Sequence, residues 1–461
     1  MKPENLQALR TSFLLSTLFL VVYGSTNALA SLRHHVPTAA FEWERALPFV
    51  PALIIPYMSI DLFFVAAPFL CRTDTERRTL AARIAAAILI AGACFLLFPL
   101  RFAFDRPPAG GVLGVIFNHF RELDQPFNQL PSLHIALCAL LAPVYLRRSK
   151  PALRAALALW FLLIALSAVL TYQHHTIDVL GGLFLAAFCF HFFQDRPLRT
   201  TSPPAAANHR VAWYYLTGAI LCVAAIPFAF SYTWPFLWPA SSLAFTAAAY
   251  FGLGPGIFRK TDGRLPVTAW LLFWPVLLGH RLSLIWYARQ CRPWDQLTGT
   301  LWIGRTLSPA EARRAVDAGV SAVLDLTAEF SEPAPFRSLN YLHLPILDLT
   351  APSPAQLDLA VAFLRDQPDD AVVYIHCKIG YSRTAAVAGA YLLASGRAAD
   401  APSAIALLRA ARPSIVIRSE ARHALEAYAR RTPALNSPTP LPARSAPPAS
   451  ASTPSPTAPP P

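Results

Sequence analysis

The chain has 461 residues, of which 55% are hydrophobic and only 14% charged, and it carries a net charge of +13. That length exceeds one ordinary domain, and that composition lies outside the range of soluble proteins, which leaves a membrane protein. Lys and Arg stand in short clusters between apolar runs and form no continuous stripe, so the positive excess belongs to the loops of a multi-pass protein and no nucleic-acid partner is expected. Five of the seven cysteines (Cys71, Cys94, Cys138, Cys189, Cys222) lie in or beside apolar segments, and no disulfide framework is implied.

At the N-terminus, Lys2, Arg10, the apolar run Phe13 to Tyr23 and Ala28-Leu29-Ala30 imitate a cleavable signal peptide. The later spans favour a retained first membrane helix. Stretches long enough to cross the hydrocarbon core, which takes roughly 20 residues, occur at 11–32, 47–70, 80–100, 133–147, 152–172 and 176–194. They predict a six-helix block within 1–195. Basic residues fall at every second boundary: Lys2 and Arg10; Arg72, Arg77 and Arg78; Arg147, Arg148 and Lys150; Arg196 and Arg199. This places the N-terminus and those loops in the cytoplasm and the loops 33–46, 101–131 and 173–175 outside.

After a Pro-containing linker, residues 211–290 carry further transmembrane or interfacial helices. Runs at 211–232 and 235–257 return the chain to Arg259 and Lys260. A ninth, at 265–288, is basic at both ends and interrupted by proline and Arg281. It reads as re-entrant or interfacial, which keeps the C-terminal domain cytoplasmic. From 293 to 432, apolar runs of strand length (Ala322 to Leu326, Tyr341 to Leu347, Val372 to Ile375) alternate with helix-period segments (Pro309 to Ala318, Pro354 to Leu364, Thr384 to Ala394, Ser403 to Ala411, Glu420 to Ala429). That alternation predicts an α/β domain behind the helical polytopic one. Residues 433–461 are almost all Pro, Ala, Ser and Thr, a composition expected to be disordered.

The strongest motif is His376-Cys377-Lys378-Ile379-Gly380-Tyr381-Ser382-Arg383-Thr384, a buried strand running into a loop that opens a helix. Backbone N–H groups of Lys378, Ile379, Gly380, Tyr381 and Ser382 at a helix N-terminus would cradle an anion. The same field lowers a cysteine pKa. Five residues separate Cys377 from Arg383, so the loop can curl until the guanidinium pairs with the phosphate that the thiolate attacks. Thr384 can give its hydroxyl to the thiolate, and His376 can orient the loop from behind.

Over roughly 295 to 430, including Trp302-Ile303-Gly304 and Val323-Leu324-Asp325-Leu326-Thr327, the chain resembles the dual-specificity branch of the protein tyrosine phosphatases. The resemblance implies a cysteinyl-phosphate intermediate and an upstream aspartic acid that protonates the leaving oxygen. Asp348, at a predicted strand end, is the choice for that acid; Asp325, inside a strand, is the runner-up. Lys378 directly after the cysteine is similar to relatives acting on phosphoinositides or phosphatidylglycerophosphate, and a solvated loop lysine is the plain alternative.

The six-helix block carries Asp105-Arg106-Pro107, Pro131-Ser132-Leu133-His134 and His174-His175-Thr176-Ile177-Asp178, all at outward helix ends. His174 and Asp178, four apart, are expected on one helix face, where the carboxylate would fix the imidazole tautomer. His174 would then be a nucleophile, His134 the leaving-group acid, and Arg106 and Ser132 phosphate holders. Across about 10–195 these segments look like the type 2 phosphatidic acid phosphatase (PAP2) superfamily, closest to its sphingolipid-synthase-like members. Ala168 and Pro99 stand where the family has arginine and lysine. The whole layout resembles bacterial inner-membrane proteins that fuse the two modules.

His34, His35, Cys291 and the isolated His280 have no partners at metal-ligand spacing, and the aromatic residues around 234–238 and 270–274 fit a membrane belt. The expected protein is a membrane-bound phosphatase for phosphoproteins or phospholipid head groups, with no metal or cofactor. A lipid head-group transferase and a non-catalytic scaffold for phosphorylated ligands are the alternatives.

Overall fold

A computed structural model describes residues 3–123, 125–194, 208–226 and 234–431. The expected tail at 433–461 and most of the linker after 195 lie outside the described residues. The membrane part begins with α1 (Pro3–Ser31), α2 (Ile54–Ala66), α3 (Asp74–Leu97), α4 (Gly111–Leu123), α5 (Leu133–Leu146), α6 (Pro151–Leu170) and α7 (Thr176–Phe192). Local chemistry fixes several starts. The Thr73 side chain accepts the Glu76 N–H ahead of α3 and Ser132 accepts that of Ile135 ahead of α5, while proline opens α6, where a missing N–H costs nothing. Inside the bundle Ile84, Ile88, Leu140, Leu141, Ile164 and Cys189 are buried together. The 101–131 segment, expected as a loop, contains α4. Its apolar residues Phe117 and Leu113 pack near Ile54 and Ile135, a tertiary anchor too short to register as a span.

Two further helices, α8 (His209–Ala225) and α9 (Leu237–Ala248), form a hairpin, followed by α10 (Val267–Ala288). Among the described residues, six segments are long and apolar enough to cross a membrane, Trp234–Leu253 and Val267–Ala288 among them. α10 runs through Pro275 and Arg281 without a break, so the re-entrant form of the expectation does not fit, and the interfacial form is the one a continuous helix allows.

The C-terminal part is an α/β domain. Its elements are β1 (Trp294–Gln296), β2 (Leu301–Arg305), α11 (Pro309–Asp317), β3 (Val320–Thr327), β4 (Asn340–Ile346), α12 (Pro354–Arg365), β5 (Val372–Cys377), α13 (Ser382–Ala394), α14 (Ala401–Ala411) and α15 (Ser419–Arg431). The strands order β1-β2-β5-β3-β4, with only β1 antiparallel to its neighbour. Strand β5 is central, pairing Cys377 with Arg305 of β2 on one side and His376 with Asp325 of β3 on the other. Ligands of open parallel sheets bind outside the carboxyl ends of the strands, and Cys377 is the last residue of β5.

The two parts are packed onto each other. Tyr250, Phe258, Phe273 and Leu277 share an apolar cluster with Ala328 and Leu347 of the α/β domain, and Leu284 packs with Phe330 and Ile379. Each such side chain contributes about 1.5–3 kcal/mol on burial. Lys260, ahead of α10, reaches into the α/β domain, where its ammonium meets the Asp325 carboxylate and the Thr327 carbonyl. Contacts at Lys260 and again at Leu284 show that α10 runs along this domain.

Candidate active sites

The loop after β5 is shaped from both sides. Gly380 has φ +76°, and a Cβ there would stand 2.4 Å from the Gly304 carbonyl oxygen, so no side chain fits. The loop carbonyls are held from outside: Thr306 donates to those of Cys377 and Lys378, and the fully buried Arg412 donates to that of Ile379 at 3.1 Å and to Asp295 at 2.6 Å. The N–H groups therefore turn inward. Burial alone would push the Cys377 thiol up, but the Arg383 guanidinium, the Thr384 hydroxyl and the N–H groups of Thr384 and Tyr381 bring it below its ordinary value. Thr384 Oγ1 is buried and has no other partner.

Arg383, buried on the first turn of α13, donates to the Glu329 carboxylate at 2.8 and 3.3 Å, to the Ile346 carbonyl at 2.8 Å and to Asp348 Oδ1 at 3.1 Å. Asp348 Oδ2 lies 3.3 Å from Lys378 Nζ. Burial would raise the Asp348 carboxyl, yet Arg383 first and Lys378 next hold it well below the usual carboxylate range. Lys378 is itself buried and lies 3.3 Å from His280 Nδ1. His280 is therefore not isolated, contrary to the sequence expectation. Ile379 and Tyr381 carry apolar packing behind the loop, and the Ser382 hydroxyl donates to the Val416 carbonyl. That side chain faces away from Cys377, so only the Ser382 N–H can serve an anion. Asp325 is wholly buried, bonded to Lys260, Thr327 and Tyr341, and out of reach of a leaving group. His376 stands between Glu332 at 3.2 Å and Asp325 at 3.8 Å. Burial would lower its pKa, but those two acids raise it.

Glu329 escaped the sequence reading. Its signal was an acid just past the carboxyl end of a parallel strand. Among the described residues, two clusters have the ligand types of a metal site, His280 with Glu329 and Asp348, and Asp325 with Glu332 and His376. Lysine ammonium groups already stand against both, Lys378 in the first and Lys260 in the second, which makes them ion-pair networks.

A second constellation gathers where α5 and α7 begin. The Ser132 N–H donates to the Asp178 carbonyl at 2.9 Å. Gly182 allows that approach, since a Cβ there would stand 2.4 Å from the Ser132 oxygen. His134 stacks on Tyr57 at 4.0 Å, bonds the Ile164 carbonyl and lies within electrostatic reach of His174. Among the described residues, the buried His134 Nε2 and His174 Nδ1 have no hydrogen-bond partner. Arg106 lies over the Phe102 ring at 5.4 Å.

His174 precedes α7, so the expectation that it shares a helix face with Asp178 is corrected. Asp178 Oδ2 instead accepts the His175 N–H at 2.8 Å as part of the helix cap and stays 3.6 Å from His174 Nδ1. The tautomer so fixed is that of His175: the Ala103 N–H donates to its Nε2 at 2.9 Å, and its Nδ1 meets Glu44 at 2.5 Å. Burial would raise the Glu44 carboxyl, but bonds from His175 and Thr176 leave it lowered. Glu44 was also missed, because it lies more than a hundred positions from His175. The Trp234 ring lies 5.5 Å from Phe41 on this side, and Tyr250, at the other end of the same apolar segment, bonds the Asp348 carbonyl. The two constellations thus sit at opposite ends of a membrane-length segment.

A family model for the dual-specificity phosphatase catalytic domain matches residues 306–431, and one for the PAP2 superfamily matches residues 52–192. The chain thus joins a PAP2 domain to a dual-specificity phosphatase catalytic domain. It is a phosphoric monoester hydrolase. Among curated proteins it is similar to the phosphatidylglycerophosphate phosphatase PTPMT2 of Arabidopsis thaliana, 28% identical over 167 residues that cover 35% of this chain and 72% of that protein. Among solved structures it is similar to PTPMT1, at 25% identity over 30% of this chain and 95% of that one with a TM-score of 0.28. Tk-PTP in its active form matches at 26% identity over 30% and 97%, with the same TM-score of 0.28.

Proposed function

We propose that Cys377 hydrolyses phosphate monoesters of membrane lipids by a two-step displacement. The thiolate attacks phosphorus, an S–P bond forms, the ester P–O bond breaks, and the departing oxygen takes a proton from Asp348. Asp348 then removes a proton from water, whose oxygen attacks phosphorus and releases the thiolate and inorganic phosphate. Loop N–H groups, Arg383 and Lys378 hold the phosphate oxygens. Paired with Arg383 and Lys378, Asp348 is ionised. A bound phosphate dianion would take both cations and set negative charge beside the carboxyl, which favours its protonated, acid form.

The convergence of Cys377, Arg383 and Asp348 carries this reading. The choice of lipid rests on α10. Its face with Leu277, His280 and Leu284 is buried, while Leu278, Leu282, Ile285 and Trp286 are exposed on the other. An exposed apolar face beside the site suits a bilayer, and the Arabidopsis relative is named for a phospholipid substrate. The basic loops support a cytoplasmic location for this site, with α10 at the interface and the His134 and His174 constellation opposite; a C-terminal reporter fusion tests that. Phosphate release by the full chain from phosphatidylglycerophosphate, other anionic phospholipids and phosphotyrosine peptide tests the chemistry. Turnover on a lipid that is lost in Cys377→Ser supports the reading, and lipid turnover untouched by that change overturns it.

The unpartnered nitrogens of His134 and His174 favour a second, independent lipid phosphate site, with His174 as nucleophile and Arg106 and Ser132 beside it. Phosphate release from phosphatidic acid by Cys377→Ser that His174→Ala abolishes supports hydrolysis there. Diacylglycerol without free phosphate would identify head-group transfer.

A further inference from the structure

The family match begins at residue 306, yet the Cys377 site is built partly from residues before it. Three contacts cross from the preceding helices. Asn208, at the start of α8, donates to the Leu349 carbonyl at 2.8 Å, and Tyr250 donates to the Asp348 carbonyl at 2.8 Å. Leu349 itself has φ +58°, a strained conformation that its surroundings must hold. The third contact is His280 on α10, with Nδ1 3.3 Å from Lys378 Nζ.

We propose that His280 is a positioning residue of the Cys377 site, which makes that site a composite of the α/β domain and a membrane-region helix. This rests on Cys377 being the nucleophile. Lys378 has only protons to give, so His280 Nδ1 must be the acceptor and the ring the neutral Nε2–H tautomer. Lys378 is shared between that acceptor and Asp348, at 3.3 Å each. The charged groups facing His280 are Lys378 from the loop, Asp348 after β4, Glu329 after β3 and Arg383 of α13, and the Phe330 ring closes the remaining side at 6.3 Å.

Without the acceptor, the buried ammonium rests on Asp348 alone, and an arriving phosphate has to compete with that carboxylate for it. Asp348 would then stay ionised in a larger share of the substrate complexes, and the step that needs its proton would slow. His280 thus draws Lys378 away from the acid at the moment of leaving-group protonation.

The test compares full-length protein in lipid micelles on two esters. An alkyl phosphate has a poor leaving group and depends on acid assistance; p-nitrophenyl phosphate has a good one and depends on it far less. His280→Leu keeps volume without an acceptor, and His280→Gln keeps an acceptor. We expect the alkyl-to-aryl ratio of kcat to fall about tenfold in His280→Leu, a fraction of the ~10²–10⁴ attributed to a general acid, and to return most of the way in His280→Gln. The descending alkaline limb of kcat for the alkyl ester should move to lower pH in His280→Leu. Equal ratios in wild type, Leu and Gln variants overturn the proposal, as does an equal drop in Leu and Gln variants. Cys377→Ser in the same assay separates this outcome from failure of the cysteine mechanism.

Discussion

Replacing Thr384 with alanine removes the one side-chain hydroxyl that stabilises the Cys377 thiolate. The hydroxyl is buried without another partner, so its loss frees no competing group and leaves a cavity of little more than a methyl. A hydrogen bond to a charged group is worth about 1.5–3 kcal/mol, which is roughly a ten- to hundredfold change in thiolate fraction below both pKa values. Arg383 and the N–H groups of Tyr381 and Thr384 remain, which sets the expectation at the low end, about tenfold. The sign follows from an acid whose pKa is depressed in the fold: weakening a stabiliser of the anion raises that pKa. Iodoacetamide alkylation of Cys377, followed against pH by mass spectrometry of its peptide, reads the effect. The variant should react about tenfold more slowly at mildly acidic pH and converge with wild type under alkaline conditions. Superimposed curves at every pH would refute the role given to Thr384.

Asp348→Asn removes the leaving-group proton, so release from an alkyl phosphate should fall roughly 10²–10⁴-fold and lose its descending alkaline limb in a kcat profile. Gly380→Ala places a Cβ against Gly304 at a positive φ; an unfolding free energy lowered by about 1–3 kcal/mol, together with lost turnover, is expected. Lys260→Met leaves Asp325 buried without its ammonium, while Tyr341 and Thr327 still bond it. That should cost about 3 kcal/mol in thermal unfolding, and adding Asp325→Asn should restore part of it.

The strand, loop and helix around Cys377 were legible because one short segment carries the whole signal: four apolar residues, a helix-opening loop, and an arginine at the reach of a single turn. What stayed hidden acts across long separations. Lys378 lies 98 positions from its partner His280, and Glu329 meets Arg383 across 54; no spacing rule connects them. His174 and Asp178 failed for the opposite reason. Their four-residue spacing suggests a shared helix face, but His175 caps α7 with extended backbone, so helical geometry does not yet apply at His174. The strands β1 and β2 were too short, and too rich in tryptophan and glycine, to stand out from the helix before them.

The stretch from Asn208 to Arg305, which neither family model covers, supplies Asn208, Tyr250 and His280 to the loop and acid of the Cys377 site, Lys260 to the buried Asp325 of β3, and strand β2 to the sheet beneath them. Grafting a catalytic module from another phosphatase onto residue 306 would therefore cut through a sheet and strand four anchoring side chains. A working chimera has to be cut upstream of Asn208, with the three helices and the catalytic fold exchanged as one cassette.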